Sequence, residues 1–274
     1  MTNEVGFRLA GGAQPLILVP ASVNGSEVRE FVLDTGAGTT LLTTQLAASA
    51  GVRVTGTKEG SGAAGRVVIQ TGHADSLAVG GVRLRDVPVG ITDEVQRIGA
   101  AIGATVHGAL GYTFLRSFRV ALDYRGCRIR FDAAREDPDP AGVRFRLAHP
   151  AKPLVLVPAL VNGQGPYQLA VDTGASTTVI SPELARVLCV RGAPVPAMTG
   201  GGGAVQASAG AIESLAIGDA RCERVAVMIA PFVDILASAI GTGLDGIVGH
   251  NVLREFQVSI DYPNSLLSLG PPAR

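Results

Sequence analysis

One offset governs the whole chain. FRLA at Phe7 returns at Phe145, and PLILVPASVNG at Pro15 returns as PLVLVPALVNG at Pro153. SLAVGG at Ser76 matches SLAIGD at Ser214, and GYTFLRSFRVALDY at Gly111 matches GHNVLREFQVSIDY at Gly249, each time 138 positions later. No net insertion accumulates between these segments. Units of roughly 20–50 residues would indicate a solenoid; two copies of this length instead describe two domains related by a pseudo-two-fold axis. The expected division is an N-terminal lobe over 1–131, a linker over 132–142 and a C-terminal lobe over 143–274. The linker, DAAREDPDPAG, is the most charged and proline-marked stretch of the sequence, as boundaries between domains tend to be.

Within each unit the pattern is mostly strand. LILVPASV and LVLVPALV are short apolar runs that end at Asn24-Gly25 and Asn162-Gly163, good hairpin-turn signals. FVL and LAV then run directly into Asp34 and Asp172, so each aspartate stands where a buried strand ends. VALDY into CRIRF, and VSIDY into LLSLG, read as hairpins turning at Arg125-Gly126 and Pro263-Asn264. Helix is sparse. Ser181-Pro182-Glu183 supplies a cap, a first-turn proline and a first-turn acid for a helix through Ala185 and Leu188. Phe114, Leu115 and Phe118 have helical spacing after Gly111, and Val252, Leu253 and Phe256 repeat it after Gly249. With no tryptophan and 4% aromatics, the core is expected to be mainly Val, Leu, Ile and Ala.

Several function classes fall away on composition. Lys plus Arg balance Asp plus Glu at 23 each, so no global charge invites nucleic acid or an anionic membrane. Cys127, Cys189 and Cys222 are far apart with no CxxC pair, which reads as free buried thiols and neither a disulfide framework nor a zinc site. His73, His107, His149 and His250 are dispersed and none neighbours the repeated aspartates, so no metal or other cofactor is implied. The N-terminus shows no signal peptide and no apolar run reaches membrane-spanning length. The expectation is a soluble, cytoplasmic protein, provided that no leader has been removed.

The chemistry lies in FVLDTGAGTTLL and LAVDTGASTTVI. If the two units pack about a pseudo-two-fold axis, residues near that axis come in pairs, and Asp34 would meet Asp172. Two carboxylates in contact share one proton and titrate together. Such a pair is a base and an acid at once: the ionised member activates a water, and the protonated member donates to a substrate carbonyl. Gly36 and Gly174 would let the backbone turn tightly and bring N–H groups to the carboxylates. Thr35 and Thr173 supply hydroxyls that could bond across the axis. Asp123 and Asp261, which precede tyrosines at hairpin turns, read as structural. Between each aspartate and the SLA segment lies a glycine-dense patch, GSGAAG from Gly60 and TGGGGA from Thr199, suited to a hairpin tip or a loop closing on a ligand's backbone. Neither patch has the spacing of a phosphate-binding loop.

These motifs resemble the aspartic proteases of the retroviral-protease and pepsin clan, most closely a single-chain, duplicated form of a retropepsin-like bacterial domain. The D-T-G-A segment followed by an apolar-apolar-Gly occurs in both halves, as Asp34-Thr35-Gly36-Ala37 with Ala109-Leu110-Gly111 and as Asp172-Thr173-Gly174-Ala175 with Ile247-Val248-Gly249. The resemblance implies an all-β, bilobal fold with two β-barrel-like lobes, short helices and a cleft between them. It implies a catalytic dyad of Asp34 and Asp172, with Thr35 and Thr173 interlocked beneath it. Leu110, Gly111, Val248 and Gly249 would thread psi-shaped loops that support the aspartates. Gly60, Ser61 and Gly62, and Thr199, Gly200, Gly201, Gly202 and Gly203, would be flaps. Neither flap carries the tyrosine of pepsin-like enzymes. Ala37 and Ala175 stand where those enzymes have a hydroxyl donor, so the pair should titrate higher and work at about pH 4–6.5.

The implied activity is an aspartic endopeptidase acting as a monomer on extended, apolar peptide segments. A non-catalytic peptide-binding or assembly module that keeps the fold is the alternative. A glycosidase would need its carboxylates about 5–9 Å apart.

Overall fold

The two Asn-Gly dipeptides start both halves the same way. Asn24 and Gly25 have φ of 52° and 74°, and Asn162 and Gly163 have 51° and 72°, the left-handed pair that a tight hairpin turn requires. Each asparagine also ties its hairpin to a neighbouring strand. Asn24 Oδ1 accepts from the Ser76 N–H at 2.9 Å, and Asn162 Oδ1 from the Ser214 N–H at 3.2 Å. Those serines begin the repeated SLA segments, so the repeat is kept where the turn is locked.

The computed structural model describes all residues except 1, 2, 63, 64, 135, 137, 138, 197, 201, 202 and 272–274. The fold is all-β and bilobal. An eight-stranded sheet of the first half runs in the order Arg8–Ala10, Leu16–Val23, Arg29–Leu33, Gly108–Leu110, Thr40–Leu42, Val82–Ile91, Gly65–Val79 and Arg53–Gly62. It closes on itself where Leu16–Val23 also pairs with Gly65–Val79. The second half repeats the closure with Lys152–Val161 on Ser208–Ile217.

A six-stranded sheet drawn from both halves joins the lobes. At its centre Arg119–Asp123 pairs antiparallel with Gln257–Asp261, and the register sets Ala121 opposite Ser259. Those two are repeat-equivalent, so the pseudo-two-fold axis passes between them. Asp123 accepts from the N–H groups of Arg125 and Gly126 and Asp261 from that of Asn264, the turn-holding parts expected of them.

Among the described residues six short helices fill the connections: α1 (Thr44–Ser49), α2 (Glu94–Ala101), α3 (Tyr112–Leu115), α4 (Pro182–Val187), α5 (Phe232–Ile240) and α6 (His250–Leu253). Thr43 and Ser181, equivalent in the repeat, cap α1 and α4 through their hydroxyls at 3.2 and 3.0 Å. The helices α2 and α5 stand where the sequence pattern gave no expectation of helix. The core is aliphatic in bulk, yet Phe31, Phe114 and Phe131 are among its largest fully buried side chains. The cysteines are free, but the expectation of buried thiols needs correction: Cys189 is exposed, and Cys127 and Cys222 are half-buried. Cys127 and Cys189 sit at left-handed backbone positions, φ 51° and 54°, which occur in turns and helix ends and not in core strands. Among the described residues no helix is long and apolar enough to cross a membrane.

Candidate active site

Each aspartate is delivered by a parallel pairing inside its lobe. Phe31–Leu33 lies beside Gly108–Leu110, and Leu169–Val171 beside Gly246–Val248. The same short strands pair on their other side with Thr40–Leu42 and Thr178–Ile180. The pairing continues one step beyond the strands: Asp34 N–H donates to Leu110 O and Asp172 N–H to Val248 O, both at 3.0 Å. Gly111 and Gly249 then pass so close to the aspartate loops that a Cβ on either would lie 2.5 Å from Thr39 O or 2.7 Å from Ala175 O. No other residue fits there.

Beneath the aspartates the two threonines cross-link the lobes. Thr35 N–H donates to Thr173 Oγ1 at 3.1 Å, and Thr173 N–H to Thr35 Oγ1 at 3.0 Å. Their hydroxyls donate onward to Val171 O at 2.9 Å and Leu33 O at 2.8 Å, again across the interface. All four bonds are buried, so none can be exchanged for water without cost.

The structure brings Asp34 and Asp172 together, with their carboxyls hydrogen-bonded to each other. That is far closer than the roughly 5–9 Å a glycosidase pair requires. A Cβ at Gly36 would lie 2.4 Å from Asp172 Oδ2, and one at Gly174 would lie 2.7 Å from Asp34 Oδ1. Each D-T-G glycine therefore faces the other lobe's carboxyl. Gly174 N–H donates to Asp172 Oδ1 at 2.8 Å, and the Gly36 N–H is shared between both carboxyls.

Both aspartates are raised above the ordinary carboxylate value. For Asp34 the main cause is burial and the next is the charge of Asp172, against which the N–H groups of Gly36 and Ala37 work. For Asp172 burial also dominates, but it is countered by the N–H groups of Gly174 and Gly36, a hydrogen bond from Asp34 and the ammonium of Lys152. The two halves of the pair are therefore electrically unequal.

The pair lies on the floor of a cleft of about 670 Å³. One wall carries Thr92, Glu94, Val95 and Ile98, from α2 and the residues before it; the other carries Ala230, Phe232, Ile235 and Leu236, from α5 and the residues before it. Gln14 and Lys152 complete it on either side. The sequence pattern did not reveal these cleft-lining positions. Pro231 before α5 and the left-handed Gly241 after it are signals that could have found that helix.

Of the expected flap residues, Gly60, Ser61 and Gly62 end a long strand that turns back at Gly65. Thr199 and Gly200 pair with Ala204 and Gly203 in a shorter hairpin, whose strand Met198–Gly200 reaches α2 of the other lobe. Gly201 and Gly202 lie outside the described residues.

Two aromatic contacts join four residues that are equivalent in pairs at the repeat offset. Tyr124 meets His250 with centroids 5.1 Å apart, and Tyr112 meets Tyr262 at 5.9 Å. His250 is thus a packing residue, as its isolation in the sequence suggests.

A family model described as aspartyl protease matches the chain twice, over residues 19–114 and 157–252, one match in each half. Together the matches span well over half of the sequence and contain both aspartates. Comparison with curated proteins finds no match.

Proposed function

The chain belongs to the aspartyl protease family, internally duplicated, and we propose that it is an endopeptidase whose catalytic dyad is Asp34 and Asp172. The observation that carries this reading is the hydrogen-bonded carboxyl pair, one from each lobe, on the floor of an open cleft. Asp172 holds the negative charge, because Gly174, Gly36 and Lys152 all favour its ionised form. Asp34 holds the shared proton.

The chemistry follows from that assignment. Asp172 removes a proton from a water as its oxygen attacks the scissile carbonyl carbon, and Asp34 gives its proton to the carbonyl oxygen. The product of this step is a tetrahedral gem-diol. Asp172 then passes its new proton to the amide nitrogen while Asp34 recovers one from a gem-diol hydroxyl, and the C–N bond breaks. The pair returns to its starting state with one water consumed. Charge never accumulates on the substrate beyond what two adjacent carboxyls relay.

The apolar wall of α5 favours extended segments with bulky aliphatic or aromatic side chains. The glycine-rich hairpins act as flaps, gripping the substrate through its backbone. Thr35 and Thr173 fix the distance between the aspartates, and Leu110, Gly111, Val248 and Gly249 hold their loops. Since one chain supplies both aspartates, the monomer is the active species. Work at mildly acidic pH, about 4–6.5, follows from a pair that titrates above ordinary carboxylates.

The experiment is cleavage of an unbiased peptide library across pH, with light-scattering mass and activity followed on dilution. Cleavage in that range by a protein of single-chain mass is expected. A protein that binds peptides and cuts none would be the non-catalytic module, and activity that vanishes on dilution would rule out the monomer.

A further inference from the structure

The cleft is symmetric in backbone and unsymmetric in chemistry. At the repeat offset, Gln14 on one side corresponds to Lys152 on the other, and Glu94 to Phe232. Lys152 is the single basic side chain lining the cleft among the described residues. It is half-buried and opens the strand Lys152–Val161.

Its backbone is seated with care. A Cβ at Gly38 would lie 3.0 Å from Pro153 Cδ and 3.6 Å from Lys152 Cα. Glycine at this position, where the second copy has Ser176, makes room for the Lys152-Pro153 corner beside the Asp34 loop. The corner thus brings an ammonium from the second lobe to the dyad's edge. Burial weakens that ammonium, and the charges of Asp172 and Asp34 work against the weakening.

We propose that Lys152 is a specificity-determining residue that receives a carboxylate of the substrate close to the scissile bond, from an acidic side chain or from the peptide's C-terminus. This rests on the peptidase reading above. One charge-assisted hydrogen bond discriminates between a carboxylate and its amide. The mirror position offers the neutral amide of Gln14, so the preference fixes the direction in which a peptide lies across the dyad.

The test uses matched peptides built on any sequence the protein cleaves, with Glu or Gln at each position from three before to three after the cut. Each is made with a free and with an amidated C-terminus. For the wild type, kcat/KM should favour Glu over Gln about tenfold or more at one position, or favour the free terminus by as much; the amidated series tells the two sources apart. The ratio should fall to near one in Lys152→Gln and turn toward a lysine-containing peptide in Lys152→Glu. Gln14→Lys should create a second preferred position on the opposite side of the cut, an outcome independent of how well the Lys152 variants fold. Cleavage by the wild type with no carboxylate preference in either series, or a preference that survives Lys152→Gln, overturns the inference. If the wild type cleaves no peptide, the peptidase reading itself fails and this inference with it.

Discussion

Thr35 and Thr173 each donate a backbone N–H to the other's hydroxyl, at 3.1 and 3.0 Å, and each hydroxyl donates to a carbonyl of the opposite lobe. The bonds next to the two aspartates are therefore also bonds between the two halves.

Replacing either threonine by valine keeps the shape and removes the hydroxyl. One buried N–H and one buried carbonyl then lose their partner. Each variant should lose about 2–5 kcal/mol in urea unfolding. A loss below about 1 kcal/mol would show that the crossed bonds do not join the lobes.

Gly36→Ala places a methyl 2.4 Å from Asp172 Oδ2. The carboxyls must separate, so kcat/KM should fall at least about a hundredfold. Gly243→Ala, which meets no atom within 4 Å, is the control. Equal activity in the two variants would contradict the geometry.

Asp34 titrates above its unfolded value because of burial and the neighbouring charge of Asp172. A raised carboxyl contributes stability that is complete below about pH 4 and drains away as pH rises through the folded value. Asp34→Asn has no such drain. Its Tm relative to wild type should climb as pH is raised above about 4. A difference that stays flat or declines with pH would mean the pair is not strained by its charges.

His250 behaves in the opposite sense. It is buried against Tyr124, its Nδ1 meets no hydrogen-bond partner, and burial followed by the Arg254 charge pushes its pKa down. A lowered histidine contributes stability that is complete above about pH 6.5 and lost as pH falls through the folded value. His250→Phe keeps a ring against Tyr124 without that proton. Its melting temperature should respond less to acidification than the wild type's, and identical slopes would show that another group sets acid lability.

The duplication, the meeting of Asp34 with Asp172 and the turns were legible because they rest on local rules. Asn-Gly demands a left-handed turn, and the two D-T-G glycines admit nothing larger. The cleft walls were not legible in the same way. Residues 232–240 are mostly apolar, and such a run fits a strand as readily as a helix; only Pro231 and Gly241 mark its ends. In α2, the cap-like Asp93 spends its carboxylate on Thr44 N–H at 2.9 Å, a tertiary partner that no local pattern shows. Lys152 looked ordinary in sequence, and its place at the dyad depends on a corner that packs on Gly38 from the other lobe.

The central claim is that one carboxyl from each lobe makes a single catalytic pair. It is tested most directly by measuring kcat/KM of Asp34→Asn and of Asp172→Asn on a peptide the wild type cleaves, with circular dichroism to verify folding. Each variant should lose about a thousandfold or more while remaining folded, since neither half of the pair works alone. A folded variant of either aspartate that still cleaves within about tenfold of wild type would contradict the account.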